Sequence, residues 1–528
     1  GCATIGRAVA LAAAADEIVV KFVPQSPSTE LALPTTNVTI NAAATGAVYK
    51  RVTFDGSLAG GGRAALPGAT FDLRATSGRP VQFRFTNLTL AGSSGGAQRA
   101  ITASSGYGEL RLTDCQLRGY TAPTGGSGGC VYSTGATYLT RCTLEDCEAC
   151  SGGAVSVAGL DSPVVRLEGV TMRRNRARSA SGCPSGSGSG GGASLVAAQL
   201  TVLDSTFSAN SAGGSGGGLH LSALSSLQLT GSLFAANNAS VDGGGVFCEG
   251  LVKGGIDRCA AVGNRAGQDG GGIALFPFGG PDTLWIADST VDSNYAARVA
   301  GAIRLYTVDQ RVELRGLTLF NNEAGVEYGG WSLHYGANTA ASGIAKPAKL
   351  VNSVLWSPRA SGLVPTRYEI MYDNVAAEAA LDAAAVNVRG DLFYTTSPPA
   401  WHAGVLKANP KLGPLVDGSW RVPAPDSPAI DAGNTTLASS TLDQRGLARV
   451  FNGAVDLVSP SLGLRSCGCS ALGACLCRLE SLSLRSALGR VSLTRLSSCA
   501  SGPTACIMSW PLPHPLTHPR RALWSTAA

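Results

Sequence analysis

The chain has 528 residues, of which 69 are glycine, 44% are hydrophobic and only 14% are charged. This apolar content excludes a chain that is disordered throughout, and no run of 18 apolar residues exists that could cross a bilayer as a helix. The net charge of +6 comes from residues 459–528, which hold seven Arg, no Lys and one acid. Residues 1–458 carry 34 basic and 34 acidic residues, and such a neutral body gives no case for a nucleic-acid partner.

Residues 1–75 are predicted to form an N-terminal cap with irregular first coils. The chain begins with GCATIGRAVA, without Met and without a basic-then-apolar leader, which indicates either a removed signal peptide or a fragment. A short helix is predicted over 4–15, and strands are predicted over 17–23, 35–40 and 71–76. A cap is expected here because an open first edge would recruit other strands.

A unit of 27 residues repeats from residue 76 to about residue 395. Within 200–246 it occurs twice: Leu200, Val202, Ser205, Phe207, Asn210 and Gly217-Gly218-Leu219 recur as Leu227, Leu229, Ser232, Phe234, Asn237 and Gly244-Gly245-Val246. Alternating apolar residues indicate strands, a double step between them indicates a bend, and the Gly pair indicates a turn. Three short strands in 27 residues predict one coil of a parallel β-helix, stacked about 4.8 Å from the next.

The second apolar position of each unit marks about eleven coils. Its members are Phe85, Leu112, Leu139, Leu167, Val202, Leu229, Ile256, Ile286, Leu314, Leu350 and Val388. An insertion at 181–190 explains one step of 35 residues. The last inward position holds Asn in six coils, namely Asn175, Asn210, Asn237, Asn264, Asn294 and Asn322. Buried amides must be hydrogen-bonded, so these residues are predicted to form a structural ladder.

The period is lost after residue 395. Residues 396–458 are rich in Pro and are predicted to be a loop-rich segment packed on the last coils. Residues 459–528 are rich in Ser, Leu, Arg and Cys without alternation, and are predicted to be a low-complexity, disordered tail. The predicted fold class is therefore all-β, a parallel β-helix (solenoid) of about eleven or more coils with a cap and a tail.

Several of the 15 cysteines cluster in neighbouring coils. Cys115 and Cys142 share a column one coil apart, at a spacing that a disulfide can bridge. Cys130, Cys147 and Cys150 lie in the same two or three coils. The clustering fits disulfides formed in an oxidising compartment, and it fits equally well buried cysteines used as small apolar fillers.

Asp242 and Asp269 are 27 residues apart, each five residues after a ladder Asn, and are predicted to stack on adjacent coils near Glu249. Two close carboxylates can share a proton, bind Ca²⁺, or act as acid and nucleophile. Solvated acids before a Gly turn are the alternative interpretation. These three residues are the candidate calcium site, and no other cofactor is predicted.

The strand after each Gly pair places ring and cationic side chains on one outer face. Exposed aromatic residues beside cations suit stacking on sugar rings or contact with a partner protein. The predicted ligand-binding surface, called the aromatic stripe below, consists of His220, Phe247, Phe276, Arg304, Tyr306 and His334.

Two resemblances cover different parts of the chain. The Gly-Gly-apolar motifs with Phe-x-x-Asn at 207–210 and 234–237 resemble the repeats of chlamydial polymorphic outer membrane proteins, which are autotransported β-helix adhesins. Residues 408–456, with ANPKLGPL, SPAIDAGN and DQRGLARVFNGAVDL, are similar to the end of choice-of-anchor Q domain proteins. Those are surface or secreted right-handed β-helix proteins of the pectin-lyase-like superfamily. The resemblance implies a right-handed parallel β-helix at an extracellular or cell-surface location.

The predicted function is that of a secreted or cell-surface, adhesin-like protein that binds a polysaccharide or a cell-surface glycan or protein and catalyses nothing. It is predicted to act as a monomer, without a nucleic-acid partner or a transmembrane segment. The alternative is a polysaccharide lyase or glycoside hydrolase acting on acidic polysaccharide, with Asp242, Asp269 and Glu249 as the only candidate site. The outer faces lack the clustered acids that such an enzyme needs, which favours the first hypothesis.

Overall fold

The computed structural model shows an all-β chain built from three parallel sheets that run along one axis. It describes residues 17–22, 37–41, 51–58, 62–75, 81–93, 96–104, 108–159, 163–196, 199–251, 253–277, 283–308, 311–326, 331–338, 348–357, 368–372, 381–388, 405–437, 443–445, 447, 450–451 and 454–457. The predicted helix at 4–15 and the predicted tail at 459–528 lie outside these residues. No helix in the described ranges is long and apolar enough to cross a membrane.

The large sheet has 23 strands and receives two short strands from each regular coil. They are Glu17–Lys21, Arg51–Asp55, Ala64–Pro67, Gln82–Thr86, Leu88–Ala91, Glu109–Thr113, Gln116–Arg118, Ala136–Thr140, Thr143–Glu145, Val164–Glu168, Thr171–Arg173, Gln199–Leu203, Thr206–Ser208, Ser226–Thr230, Leu233–Ala235, Gly254–Asp257, Ala260–Val262, Leu284–Ala287, Thr290–Asp292, Val312–Arg315, Thr318–Phe320, Ala348–Trp356 and Leu381–Val388.

The middle sheet has 12 strands and the small sheet has seven. The middle sheet contains Asn37–Asn41, Thr70–Arg74, Ile101–Ala103, Val131–Ser133, Val155–Ala158, Ala193–Val196, Leu219–Ser222, Val246–Glu249, Ile273–Phe276, Ile303–Val308, Leu333–Asn338 and Ile370–Tyr372. The small sheet contains Glu148–Ala149, Arg176–Ala177, Ser211–Ala212, Asn238–Ala239, Arg265–Ala266, Tyr295–Ala296 and Glu323–Ala324.

The register confirms that side chains 27 residues apart lie over one another. Val202 pairs with Leu229, and Leu229 pairs with Ile256, in parallel strands. Their side chains point inward and are at most 1% exposed, because the alternation of the sequence sends every second residue to the core. The bend between the two strands of the large sheet needs a left-handed residue in each coil, such as Asp204 (φ 46°) and Gly231 (φ 62°).

The parallel β-helix prediction is confirmed, with a slightly different number of coils. About nine regular coils run from the marker Phe85 to the marker Leu314, and less regular strands extend the large sheet at both ends. Glu17–Lys21 pairs with Arg51–Asp55 at the N-terminal end. At the other end the predicted marker Val388 is wrong, because Leu350 pairs with Ala383 instead. The coil after Leu350 is therefore shorter than the predicted step from Leu350 to Val388.

The predicted Asn ladder is present and carries hydrogen bonds in both directions. The Oδ1 atom of Asn237 accepts from the backbone N–H and from the Nδ2 of Asn210, both at 3.0 Å. Its Nδ2 donates to the Phe207 carbonyl and to Asn264 Oδ1, both at 2.9 Å. Every ladder Asn is only 1% exposed, so these bonds replace the water that each amide gives up on burial.

The ladder ends on a buried carboxylate at its C-terminal end. The backbone N–H of Asn322 donates to the hydroxyl of Ser357 at 3.2 Å, and the backbone N–H of Ser357 donates to Glu369 at 2.6 Å. Glu369 also accepts from the hydroxyl of Ser332 and is 4% exposed. The Glu369 side chain therefore accepts, at this end, from the residues that follow the last ladder Asn, in place of a further Asn amide.

Disulfides are confirmed, but not between the first pair that the spacing allowed. Cys130 is bonded to Cys147 and Cys150 to Cys183, with Cα atoms 5.7 and 5.5 Å apart. The second bond ties the 181–190 insertion to the preceding coil. Cys115 and its column neighbour Cys142 are buried free thiols. The Cys115 thiol instead donates to the carbonyls of Thr113 and Phe85, at 3.3 and 3.4 Å.

The described residues within 405–457 lie against the outer face of the large sheet. This segment contains the hairpin Leu412–Val416 and Trp420–Pro423, the 3₁₀ turn Thr435–Leu437 and the hairpin Val450–Phe451 and Ala454–Val455. The guanidinium of Arg421 donates to both carboxylate oxygens of Asp292, which is fully buried, and lies 4.3 Å from the ring centre of Phe320. Breaking such a buried pair leaves one charge uncompensated, so the contact fixes the segment firmly on the sheet.

Two further contacts attach the segment to the large sheet, one on the strand that contains Asp292 and one on a later coil. The hydroxyl of Thr290 donates to the side-chain carbonyl of Gln444 at 2.7 Å. Asn434 donates its backbone N–H to Asn352 Oδ1 at 2.7 Å and accepts from Asn352 Nδ2 at 3.0 Å. The segment is therefore bound to coils that are distant from one another in sequence.

Removing one ladder amide should destabilise the whole solenoid. We expect Asn237→Ala to lower the free energy of unfolding by about 3 kcal/mol, because it strands buried donors and acceptors on the coils on both sides. Asn238→Ala is the matched control, since this neighbour is exposed, and it should change stability by less than about 0.5 kcal/mol. Urea unfolding of the three proteins measures both effects. Equal stability of the two variants would contradict the structural role of the ladder.

Candidate functional site

The aromatic stripe lies on the outer face of the middle sheet in two neighbouring columns. In the first column His220 pairs with Phe247, Phe247 with Ala274, Ala274 with Arg304 and Arg304 with His334. The second column contains Glu249 and its partner Phe276, followed by Tyr306 on the next strand. The strand alternation that buries Leu221, Cys248 and Leu305 therefore sends the predicted stripe outward.

The rings of the stripe form one continuous series of contacts. The centroids of His220 and Phe247 are 5.2 Å apart with nearly parallel planes, those of Phe247 and Phe276 are 5.5 Å apart, and those of Phe276 and Tyr306 are 6.3 Å apart. The guanidinium of Arg304 lies 5.6 Å from the Tyr306 ring centre. Ring pairs at these distances attract one another, so the stripe is a preorganised surface rather than a set of separate side chains.

The stripe is less exposed than the sequence predicted. Phe247, Arg304 and His334 are each only 8% exposed, and His220, Phe276 and Tyr306 are half-buried. One reason is that His220 stacks on Phe247, and that Phe247 lies against Phe276 in the second column.

A second reason is that the Gly turn before each strand lies against the first outward side chain. A Cβ atom on Gly243 would lie 2.8 Å from the Cβ of Phe247, and one on Gly270 would lie 2.8 Å from the Cβ of Ala274. Both glycines have positive φ, at 64° and 65°. The sequence shows these glycines as turn residues, but it does not show that they shield the stripe.

Burial keeps the His220 ring neutral at physiological pH. Loss of water around the ring lowers the pKa of His220 from 6.5 to about 4, and its Nδ1 atom is buried without a hydrogen-bond partner. A neutral imidazole stacked on Phe247 acts as another aromatic ring, so this end of the stripe carries no charge above pH 6.

Asp242 and Asp269 lie on adjacent coils, as predicted, but the residues around them do not form a metal site. Asp242 Oδ1 accepts the backbone N–H of Asp269 at 2.9 Å. Asp269 is 3% exposed and receives two hydrogen bonds from Arg298, at 2.8 and 2.6 Å. Burial and the nearby Asp269 carboxylate raise the pKa of Asp242. Arg298 was not predicted because its backbone pairs with Gln268, one position outside the column that contains Asp242 and Asp269.

The three candidate ligands do not fit a calcium ion. Arg298 occupies both oxygens of Asp269, and Glu249 lies on the strand, in register with Phe276. No group of three or more potential metal-ligating side chains occurs within the described ranges. Calcium needs six to eight oxygen ligands, and these three residues do not supply them.

Comparisons with known proteins give little beyond this geometry. No protein-family model matches the chain, and no curated protein matches it. Among solved structures, the chain is similar to the receptor-binding protein of bacteriophage Det7, described as a podoviral tailspike in a myovirus. The identity is 9%, the TM-score is 0.20, and the similarity covers 79% of this chain and 76% of that chain. A similarity at this TM-score carries no argument about function.

The low pKa of His220 predicts an acid-sensitive contribution to stability. The unfolded chain takes up this proton below about pH 6.5, whereas the folded chain does so only near pH 4. Stability contributed by the neutral ring is therefore complete above pH 6.5 and falls between pH 6.5 and pH 4. Relative to His220→Gln, the parent protein should lose about 3 kcal/mol across this window in urea unfolding. The difference between the two proteins should not change between pH 7 and pH 8. A pH-independent difference down to pH 4 would show that the ring is not desolvated.

Proposed function

We propose that this protein is a secreted or cell-surface β-helix that binds a glycan or a protein ligand through the aromatic stripe and catalyses no reaction. The observation that carries the proposal is the continuous ring series from His220 to Tyr306, with Arg304 beside it, on an outer face. Half-buried rings held by their neighbours lose little freedom on binding, which favours stacking on a flat sugar or peptide surface.

The two disulfides support the proposed location. Disulfides form and persist in oxidising environments, and Cys130–Cys147 and Cys150–Cys183 both lie in the coils that precede the stripe. The finer placement among choice-of-anchor Q domain proteins, or beside chlamydial polymorphic outer membrane proteins, belongs to the same proposal. It is supported by the Gly-Gly repeats and by the SPAIDAGN motif at 427–434.

The accessible rings of the stripe should carry the binding. We expect Phe276→Ala and Tyr306→Ala each to weaken binding to immobilised cell-wall glycans about tenfold, because each removes a half-buried ring from the centre of the surface. Tyr295→Ala is the matched control: it is also a half-buried ring with an Arg 4.3 Å away, but it lies on the small sheet. Binding that is unchanged by both stripe variants, or weakened equally by the control, would contradict the proposal.

A polysaccharide lyase or hydrolase remains the second candidate. Its support is the raised pKa of Asp242, a property that suits a general acid. Against it, the partner carboxylate Asp269 is held by Arg298 and is buried. Incubation with polygalacturonate and alginate, with and without Ca²⁺, should release no unsaturated or reducing ends. Release by the parent protein that is lost in Asp242→Asn would overturn the non-catalytic assignment.

A further inference from the structure

A second outer face, on the first coils of the large sheet, carries a regular array of arginines. In one column Arg84 pairs with Arg111, Arg111 with Tyr138 and Tyr138 with Arg166. A second column on the same face adds Arg118 and Arg173, with Glu145 between them. We call the five arginines and Tyr138 the arginine face. At about 4.8 Å per coil, the column from Arg84 to Arg166 extends about 14 Å along the axis.

Three of the five arginines are already paired with carboxylates. Arg111 pairs with Glu109 on its own strand, Arg166 with Glu168, and Arg173 with Glu145. Their side chains nevertheless remain 42 to 45% exposed, so one edge of each guanidinium is open to solvent. Glu145 and Glu109 are themselves only 7% and 15% exposed, so these pairs hold the guanidinium groups in place while part of each group stays accessible.

Two arginines lack a carboxylate partner among the described residues. Arg84 makes one long hydrogen bond to Gln82, at 3.4 Å, and its buried Nε has no acceptor. Arg118 is exposed and, although it lies in register with Glu145, forms no ion pair within the part of the chain that the structure describes. Arg84 therefore keeps hydrogen-bond donors that no described carboxylate uses, and it is the strongest single indication of a binding role.

Neutral hydrogen-bonding side chains flank the arginines. The column between the two sets of arginines contains Thr89, Gln116, Thr143 and Thr171, all half-buried and outward. The next outward residues in the first column are Thr201 and Gln228, which are uncharged, and further along the sheet the described residues of 405–457 contact Thr290 and Asp292. The arginine face is therefore a distinct and uncovered part of the large sheet.

We propose that the arginine face binds a carboxylate-bearing polysaccharide, such as a polyuronate, lying along the axis of the β-helix. Guanidinium groups pair with carboxylates in a bidentate geometry, and the flanking Thr and Gln side chains suit the hydroxyl groups of sugar rings. The regular rise of the coils repeats both kinds of contact in the same order along a polymer. This surface is separate from the aromatic stripe and does not depend on the function proposed for it.

A nucleic acid fits this face less well. Duplex and single-stranded nucleic acids carry a dense row of phosphates, whereas the five arginines face three glutamates that already neutralise part of their charge. The Tyr138 ring is also covered on one side by Arg111, whose guanidinium lies 4.2 Å from the ring centre, so it offers no open pair of faces for bases.

The test measures binding of polygalacturonate to the full-length protein by calorimetry. We expect the double variant Arg84→Gln with Arg118→Gln to weaken binding on the order of tenfold. The single variant Arg118→Gln should weaken binding about threefold. Because Arg118 is exposed, this single variant leaves the core unchanged. The matched control is Arg74→Gln with Arg141→Gln, which removes the same charge from exposed ion-paired positions outside the face. The control should change binding less than twofold, and Phe276→Ala should leave it unchanged.

Every other result would overturn the proposal. Equal loss in the control would show that net charge alone is responsible, and equal binding of neutral dextran would show that carboxylates are not recognised. Tighter binding of an oligo-thymidine strand than of polygalacturonate at the same ionic strength would identify a nucleic-acid surface instead. Loss on Phe276→Ala with no loss on Arg84→Gln and Arg118→Gln would place the ligand on the aromatic stripe and remove the arginine face from consideration.

Discussion

The fold depends on keeping successive coils in register at one fixed spacing. Parallel strands satisfy their backbone groups only through the coils on either side, so a slip of one residue would turn every inward side chain outward. The Asn column prevents this slip, because each amide bonds to the amide and backbone of the next coil at 2.8 to 3.0 Å. Both candidate surfaces follow from this constraint, since each consists of side chains brought together only by the register.

The two surfaces differ in how they are held. The aromatic stripe is supported by its own ring contacts and by glycine turns pressed against it, so its shape is set before any ligand arrives. The arginine face is held by ion pairs to Glu109, Glu145 and Glu168, whose partners stay partly exposed. A stacked surface suits recognition by shape, whereas exposed guanidinium groups suit recognition by charge.

The repeat made the fold and the ladder predictable, because a period of 27 residues states directly which side chains overlie one another. The same arithmetic identified the stripe columns and the stacking of Asp242 on Asp269. It failed where the period failed, as at Val388, and it could not show how deeply a side chain is covered. The burial of Phe247 depends on Gly243 approaching it, and the neutralisation of Asp269 depends on Arg298 from another coil. Neither contact leaves a trace in the spacing of apolar residues.

The C-terminal segment makes the two ends of the β-helix unequal, because its described residues contact the later coils. Described residues of this segment form hydrogen bonds with Thr290 and Asp292 in one coil and with Asn352 in a later one. A late coil therefore cannot unfold by itself, because the same C-terminal segment also contacts an earlier coil. Under tension or on heating, unfolding should therefore begin at the N-terminal coils and proceed toward the C-terminal coils.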